Sequence, residues 1–121
     1  MKQFKYNDRL YHCSFTLAID LVSGKWKGLI LKFLLDGTLR YGELKKLMPG
    51  ITQKMLTQTL RALEKDGLIH REVYAVVPPK VEYSLTEIGR GVGPVLKMLH
   101  IWGEEIAEVL VVDDDVDMLE A

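Results

Sequence analysis

Residues 49–67, PGITQKMLTQTLRALEKDG, constrain this chain more than any other stretch. Pro49-Gly50 forces a turn, Thr52 is placed to cap the helix behind it, and Asp66-Gly67 ends that helix. Met55, Leu56, Leu60 and Leu63 recur at helical spacing and define an inner face. The outer face is unusual. It carries Gln53, Lys54, Thr57, Gln58 and Arg61, with no carboxylate before Glu64. A solvated helix ordinarily mixes Glu with Lys at i, i+4. A helix of this kind has to be buried on one side while showing amides, hydroxyls and cations on the other.

The flanking segments limit the topology. A first helix is expected from Cys13 or Ser14, with Phe15, Leu17, Ala18, Leu21 and Val22, and "SGK" breaks it. A second is expected over about Lys25 to Leu35, with Trp26, Leu29, Ile30, Phe33 and Leu34 at i, i+3, i+4, i+7, i+8 and Gly37 as its stop. A short helix from Tyr41 to Met48 should bury Leu44 and Leu47. After Gly67, "LIHREVYAVV" and "KVEYSL" read as two strands of a hairpin whose tip holds Pro78 and Pro79. Alternation lets only one of Glu82 and Tyr83 face inward, and the tyrosine is the expected one. From Leu85, apolar residues recur through Ile88, Val92, Val95, Leu99, Trp102, Ile106 and Val109 as a heptad seam, which Gly89, Gly91, Gly93 and Pro94 should kink or split. The final "VVDDDVDMLEA" is expected to fray. The fold class is therefore mainly α with a small β-hairpin, a winged helix-turn-helix. Residues 1–12 form an N-terminal arm, 13–103 the domain, and 104–121 the end of the last helix and an acidic tail.

Charge sharpens the reading. The net charge is only −1, yet eight of the 17 carboxylates lie from Glu104 to Ala121, where no Lys or Arg occurs, leaving 16 basic against 9 acidic residues in 1–103. A basic body points to an anionic partner. No apolar run reaches the roughly 18 residues that span a bilayer, no signal-peptide core stands at the N-terminus, and a lone cysteine fits a reducing cytoplasm. His12, His70 and His100 are dispersed without ligand spacing, and there is no P-loop, dinucleotide turn or nucleophile elbow, so neither metal, cofactor nor enzyme is expected.

In a winged helix-turn-helix the second helix of the pair enters the major groove of double-stranded DNA. Gln53, Thr57 and Arg61 form a stripe at i, i+4, i+8, flanked by Lys54 and Gln58. Gln can pair with adenine, Arg with guanine, and a Thr methyl can meet that of thymine. The Thr52-capped N-terminus can hold a phosphate. Lys80 at the wing tip, and Arg40, Lys45 and Lys46 beside the preceding helix, are candidate phosphate contacts.

The pieces "GKW", "LRYGEL", "PGITQKMLTQTL", "LEKDGLIHR", "VPPKVEYSLTEIG" and the later Trp102 together resemble the HxlR-type family of bacterial winged-helix regulators, over about residues 13–103. The resemblance implies a homodimer on a near-palindromic operator, often near its own gene, repressing or activating transcription. The N- and C-terminal helices would form the interface, the latter through Val95, Leu99, Trp102 and Ile106. It also implies an oxidant or electrophile signal at Cys13, where thiol-sensing members carry a cysteine, or else a small-molecule signal. This chain has Cys13-Ser14 in place of the family's Cys-Pro, and Ser23-Gly24 in place of its paired glycine. A helix N-terminus favours a thiolate, but a lone cysteine switches reversibly only with a partner subunit's thiol or a small one. The competing reading of Cys13 is a packed, hydrophobe-like thiol. For the whole chain it is a winged-helix protein-interaction module without DNA binding, which would show a more apolar outer face than Gln53-Thr57-Arg61.

Overall fold

The computed structural model describes residues 3–110. In chain order it contains β1 (Phe4–Tyr6), β2 (Arg9–Tyr11), α1 (Ser14–Val22), α2 (Lys27–Leu34), β3 (Leu39–Arg40), α3 (Tyr41–Leu47), α4 (Gln53–Lys65), β4 (Ile69–Tyr74), β5 (Lys80–Leu85), α5 (Glu87–Arg90) and α6 (Gly93–Val109). This is a winged helix-turn-helix, with α3 and α4 as the helix pair and β4–β5 as the wing.

Local sequence sets most of these boundaries. Thr52 Oγ1 accepts the Met55 N–H at 3.0 Å, so a side chain satisfies one of α4's unpaired donors. Gly50 and Gly67 take φ of +89° and +77°, in the left-handed region that glycine enters without strain, turning the chain before and after α4. Leu56, Leu60 and Leu63 of α4 pack on Ile30, Leu31 and Leu34 of α2, with Leu44, Met48, Ile51, Leu68, Ile69, Tyr83, Leu85 and Leu96 completing one core. Tyr83 is 7% exposed, on the inner side of β5 as alternation requires.

Tertiary context altered several expectations. The sheet has three strands in the order β3-β5-β4, because Leu39 and Arg40 pair antiparallel with Tyr83 and Glu82. A two-residue strand is too short to show periodicity. The N-terminal segment carries a β1–β2 hairpin, with Phe4 opposite Tyr11 and Asn7 turning at φ +54°. Leu47, expected inside, is 46% exposed. The α3 helix ends at Met48 with φ −124° and ψ 70°, and this break turns Met48 and Ile51 into the core instead. Met55 is 41% exposed at the rim of α4's inner face. Leu85 belongs to β5 and is buried, so the seam begins after it.

The C-terminal apolar stretch is two helices. The chain breaks at Gly91-Val92, and Pro94 sits in the first turn of α6, where its missing N–H costs nothing. Leu96 faces the core, while Val95, Leu99, Trp102 and Ile106 are exposed by 45–60% along one side of α6. No helix among the described residues is long and apolar enough to cross a membrane. The fraying expected of 111–121 lies outside the described residues.

Candidate nucleic-acid interface

The α3–α4 pair is held at a defined angle by a polar bridge. Tyr41, opening α3, donates its hydroxyl toward the Gln53 carbonyl at 3.1 Å and lies 3.1 Å from Thr57 Oγ1. Thr57 is half-buried as a result. Of the expected stripe, Gln53 and Arg61 are exposed with side chains free to reach outward, whereas the Thr57 hydroxyl is engaged between helices. Lys54 is exposed beside Gln53. Gln58, also exposed, lies off the stripe, near Ser23, Gly24 and Trp26 at the α1–α2 connection.

Arg61 is not alone. A cleft of about 240 Å³ between α4 and the wing is lined by Thr57, Leu60, Arg61, Glu64, Arg71 and Tyr83. Arg71 lies opposite Tyr83 in the β4–β5 register, so both point to the α4 side of the hairpin. Two guanidiniums therefore converge on one cleft, with Glu64 as its only carboxylate among the lining residues. Reading β4 alone missed Arg71. The signal was present, since Ile69 must face inward and period-two alternation carries Arg71 to the same face.

The wing lysine is less free than its position suggested. Lys80 Nζ lies 3.4 Å from Glu82 Oε2 and 4.8 Å from the Tyr74 ring, both on the wing itself. The Tyr74 hydroxyl titrates above its ordinary value because it donates to Glu82, whose negative charge adds to the effect. Arg40 is exposed ahead of α3, its backbone N–H donating to Glu43 Oε1 at 2.8 Å. Lys45 spends its ammonium on the Ile51 carbonyl at 3.2 Å, bracing the turn into α4. Lys46 remains exposed.

The N-terminal hairpin ties α1 to the far end of α4. Arg9 bridges two carboxylates, Asp20 of α1 at 3.0 Å and Asp66 at the α4 C-cap at 2.6 Å. Asp66 is 6% exposed and also accepts from Asn7 Nδ2 at 2.8 Å. The Tyr6 hydroxyl donates to the Asp66 carbonyl, and the Tyr11 hydroxyl to Asp20. Donation by Tyr11, then the Arg9 charge, holds the Asp20 carboxyl below the usual carboxylate range, although partial burial opposes this. The contacts to Asp66 were not visible in the sequence, because they span 57 to 60 positions; those to Asp20 span only 9 and 11 but cross from the hairpin to α1.

Cys13 is exposed at the N-cap of α1. The Thr16 backbone N–H first, then that of Phe15 and the Thr16 hydroxyl, draw its thiol below the ordinary value of 9.0.

Residues 21–110 match the model of the HxlR-like helix-turn-helix family. The chain is 50% identical over 115 residues to YdeP of Bacillus subtilis (strain 168), an HTH-type transcriptional regulator, covering 95% of this chain and 85% of that one. Among solved structures it is similar to the redox regulator HypR. The reduced form superposes with a TM-score of 0.77 at 48% identity, covering 81% of this chain and 97% of that chain. The oxidised form gives 0.74 at 49% identity, covering 77% and 96%.

Proposed function

The chain belongs to the HxlR-like helix-turn-helix family, and from that premise we propose that it acts as a homodimeric, sequence-specific repressor near its own gene, relieved by oxidants through Cys13. That it is a DNA-binding transcriptional regulator follows from the family and from relatives sharing half its residues. What carries the assignment of the reading surface is the carboxylate-free first two turns of α4, facing the same side as the Arg61–Arg71 cleft.

In this reading α4 lies in the major groove. Gln53 and Arg61 address base edges, and Lys54 and the Thr52-capped N-terminus meet phosphate. Thr57 contributes its methyl and holds α4 against Tyr41. Arg71 follows the wing to the backbone, with Arg40 on the α3 side. Two copies would place their α4 helices about 34 Å apart, one helical turn of DNA. The test is fluorescence anisotropy on DNA flanking the gene against a scrambled duplex. Selective binding that weakens steeply with salt supports the reading; equal affinity for both duplexes refutes it.

Single substitutions divide the roles. Arg61→Ala should cost about 1–3 kcal/mol and relax preference at one base pair. Arg71→Ala should weaken every duplex alike and flatten the salt slope by about one unit. An Arg61→Ala loss equal on all duplexes would move Arg61 to the phosphate contacts. An unchanged slope for Arg71→Ala would remove the wing arginine from the interface. Lys80→Ala should change the slope less than Arg71→Ala, because Glu82 already neutralises that ammonium.

The redox half is supported by the thiol's exposure and lowered pKa, and by the existence of reduced and oxidised structures of HypR, a redox regulator at 49% identity. A lower thiol pKa means that more thiolate is present at neutral pH, so alkylation by iodoacetamide should follow a pH midpoint below that of a free cysteine. Disulfide formation with Cys13 of the partner subunit, or with a small thiol, would pass two electrons to the oxidant and remain reversible. Cys13→Ser should bind DNA as the reduced protein does and ignore oxidant. Oxidant-dependent release that persists in Cys13→Ser would exclude this thiol.

A further inference from the structure

We propose that Arg9 is a positioning residue for DNA selection. By joining Asp20 to Asp66 it braces α1 against α4, and so sets which half-site spacing the dimer accepts. The inference rests on the dimeric reading above and adds the element that holds the two α4 helices in register with DNA. The need for a brace follows from how the exposed apolar helices are rooted. No residue of α1 is buried, although Phe15 and Ile19 stand exposed along it. Leu21 and Val22, at its C-terminal end, pack partly against the core. Of α6, only Gly93 and Leu96 in its first turn are buried. Few buried contacts leave the angle between such a helix and the body soft.

Polar contacts supply what packing does not. The principal neighbour of α1 is β2, and the β1–β2 hairpin reaches α4 through donors aimed at Asp66. Arg9 Nη2 donates to Asp66 Oδ1 at 2.6 Å and Asn7 Nδ2 to the same oxygen at 2.8 Å, while the Tyr6 hydroxyl takes the Asp66 carbonyl. Asp66 is buried, so water competes little for these charge-assisted bonds. The other guanidinium nitrogen, Nη1, donates to Asp20 Oδ2 at 3.0 Å, beside the Tyr11 hydroxyl. A guanidinium is planar and rigid, so its two bonds fix two carboxylates relative to each other as a flexible ammonium does not. Tyr11 is buried yet stands outside the main core. The hairpin is a strut between α1 and α4.

Leverage carries the strut's effect to DNA. Asp66 caps the C-terminal end of α4, and Gln53 opens the helix 13 residues earlier, roughly 20 Å away. A swing of about 10° between α1 and the body displaces that reading end by about 3.5 Å, close to the rise of one base pair. Each added base pair also turns the second half-site by roughly 35°. A braced dimer therefore rejects a spacing one base pair off, and an unbraced one follows it.

The variant that cuts the strut without stranding a buried charge is Asp20→Ala. The Asp20 side chain is 45% exposed, whereas Arg9→Met would leave the buried Asp66 carboxylate without its cation. Asp20→Glu keeps a carboxylate and serves as the rescue. The first measurement uses free protein. A nitroxide is placed on each copy at Lys46→Cys, an exposed α3 position, in a Cys13→Ser chain, and pulsed dipolar spectroscopy reads the distance between copies. Parent and Asp20→Glu should give one narrow distribution. Asp20→Ala should shift or widen it by about 3 Å or more, while melting and sedimenting like the parent. An unchanged distribution overturns the strut. Fluorescence anisotropy then compares the gene-flanking duplex that the protein selects, the same duplex one base pair longer or shorter at its centre, and one half of it. Parent and Asp20→Glu should prefer the original spacing by about tenfold or more, and Asp20→Ala by about threefold or less with half-site affinity unchanged. Undiminished preference, or an equal loss on the half-site, overturns the role in selection. A chain that sediments as a monomer refutes the dimeric reading and this proposal with it. A dimer that selects no duplex refutes the DNA reading and the spacing claim together, while the distances still decide the strut.

Discussion

In the proposed homodimer, Trp102→Glu should yield a folded monomer and largely abolish binding to a two-half-site operator. On α6, Val95, Met98, Leu99, Trp102 and Ile106 are 45–64% exposed, and α1 adds Phe15 at 70% and Ile19 at 47%. Together they exceed the scattered apolar exposure normal for a monomer. In a two-fold interface each residue acts in both copies, so one substitution removes two anchors and buries two carboxylates. With about 2 kcal/mol or more for each tryptophan, the dimer dissociation constant should rise by roughly a thousandfold. Sedimentation velocity reads the mass, and circular dichroism shows whether the fold survives. A dimer that sediments unchanged would place the interface elsewhere.

The second large effect is on stability. A Cβ at Gly89 would stand 2.0 Å from the Leu68 carbonyl oxygen, a contact no side-chain rotation relieves because it is backbone on backbone. That carbonyl already accepts the Thr86 N–H at 3.1 Å, while Thr86 Oγ1 donates to the Gly67 carbonyl at 2.6 Å and accepts from Gly89 N at 3.1 Å. The α5 turn is thus stapled to the chain just after α4, and Gly89→Ala must pry the two apart. The cost should be about 3 kcal/mol or more, lowering the melting midpoint by roughly 10 °C. Gly103→Ala is the control. It lies inside α6 with open space around it, and should stabilise the helix by up to about 1 kcal/mol. A Gly89→Ala protein that melts with the parent would show that α5 is not fixed against Leu68.

The wing shows where reading the sequence stopped short. Strands at 69–74 and 80–85 were legible from β-branched and aromatic runs, as was Tyr83 facing inward. Lys80 and Glu82, two apart on β5, share a face by alternation alone; the convergence of Arg71 with Arg61 was not legible, because it depends on how the hairpin leans toward α4. The seam was legible as a period, but its start was misplaced at Leu85. Leu85 suits a strand as well as a helix, and the strand won because Ile69 pairs with it.

By itself the sequence determined what depends on neighbours a few positions apart. These are the Thr52 cap, the turns at Gly50 and Gly67, the buried leucines of α4, its carboxylate-free outer face, and the apolar period along α6. Each follows from local backbone preference or from the 3.6 and 2.0 periods, which act whatever the rest of the chain does. The tertiary structure alone decided what depends on distant segments meeting. Tyr41 claims the Thr57 hydroxyl, Arg9 joins α1 to Asp66, and Leu39-Arg40 becomes a third strand. Such contacts involve short, individually weak signals separated by tens of residues, and only the closed core brings them within hydrogen-bonding distance.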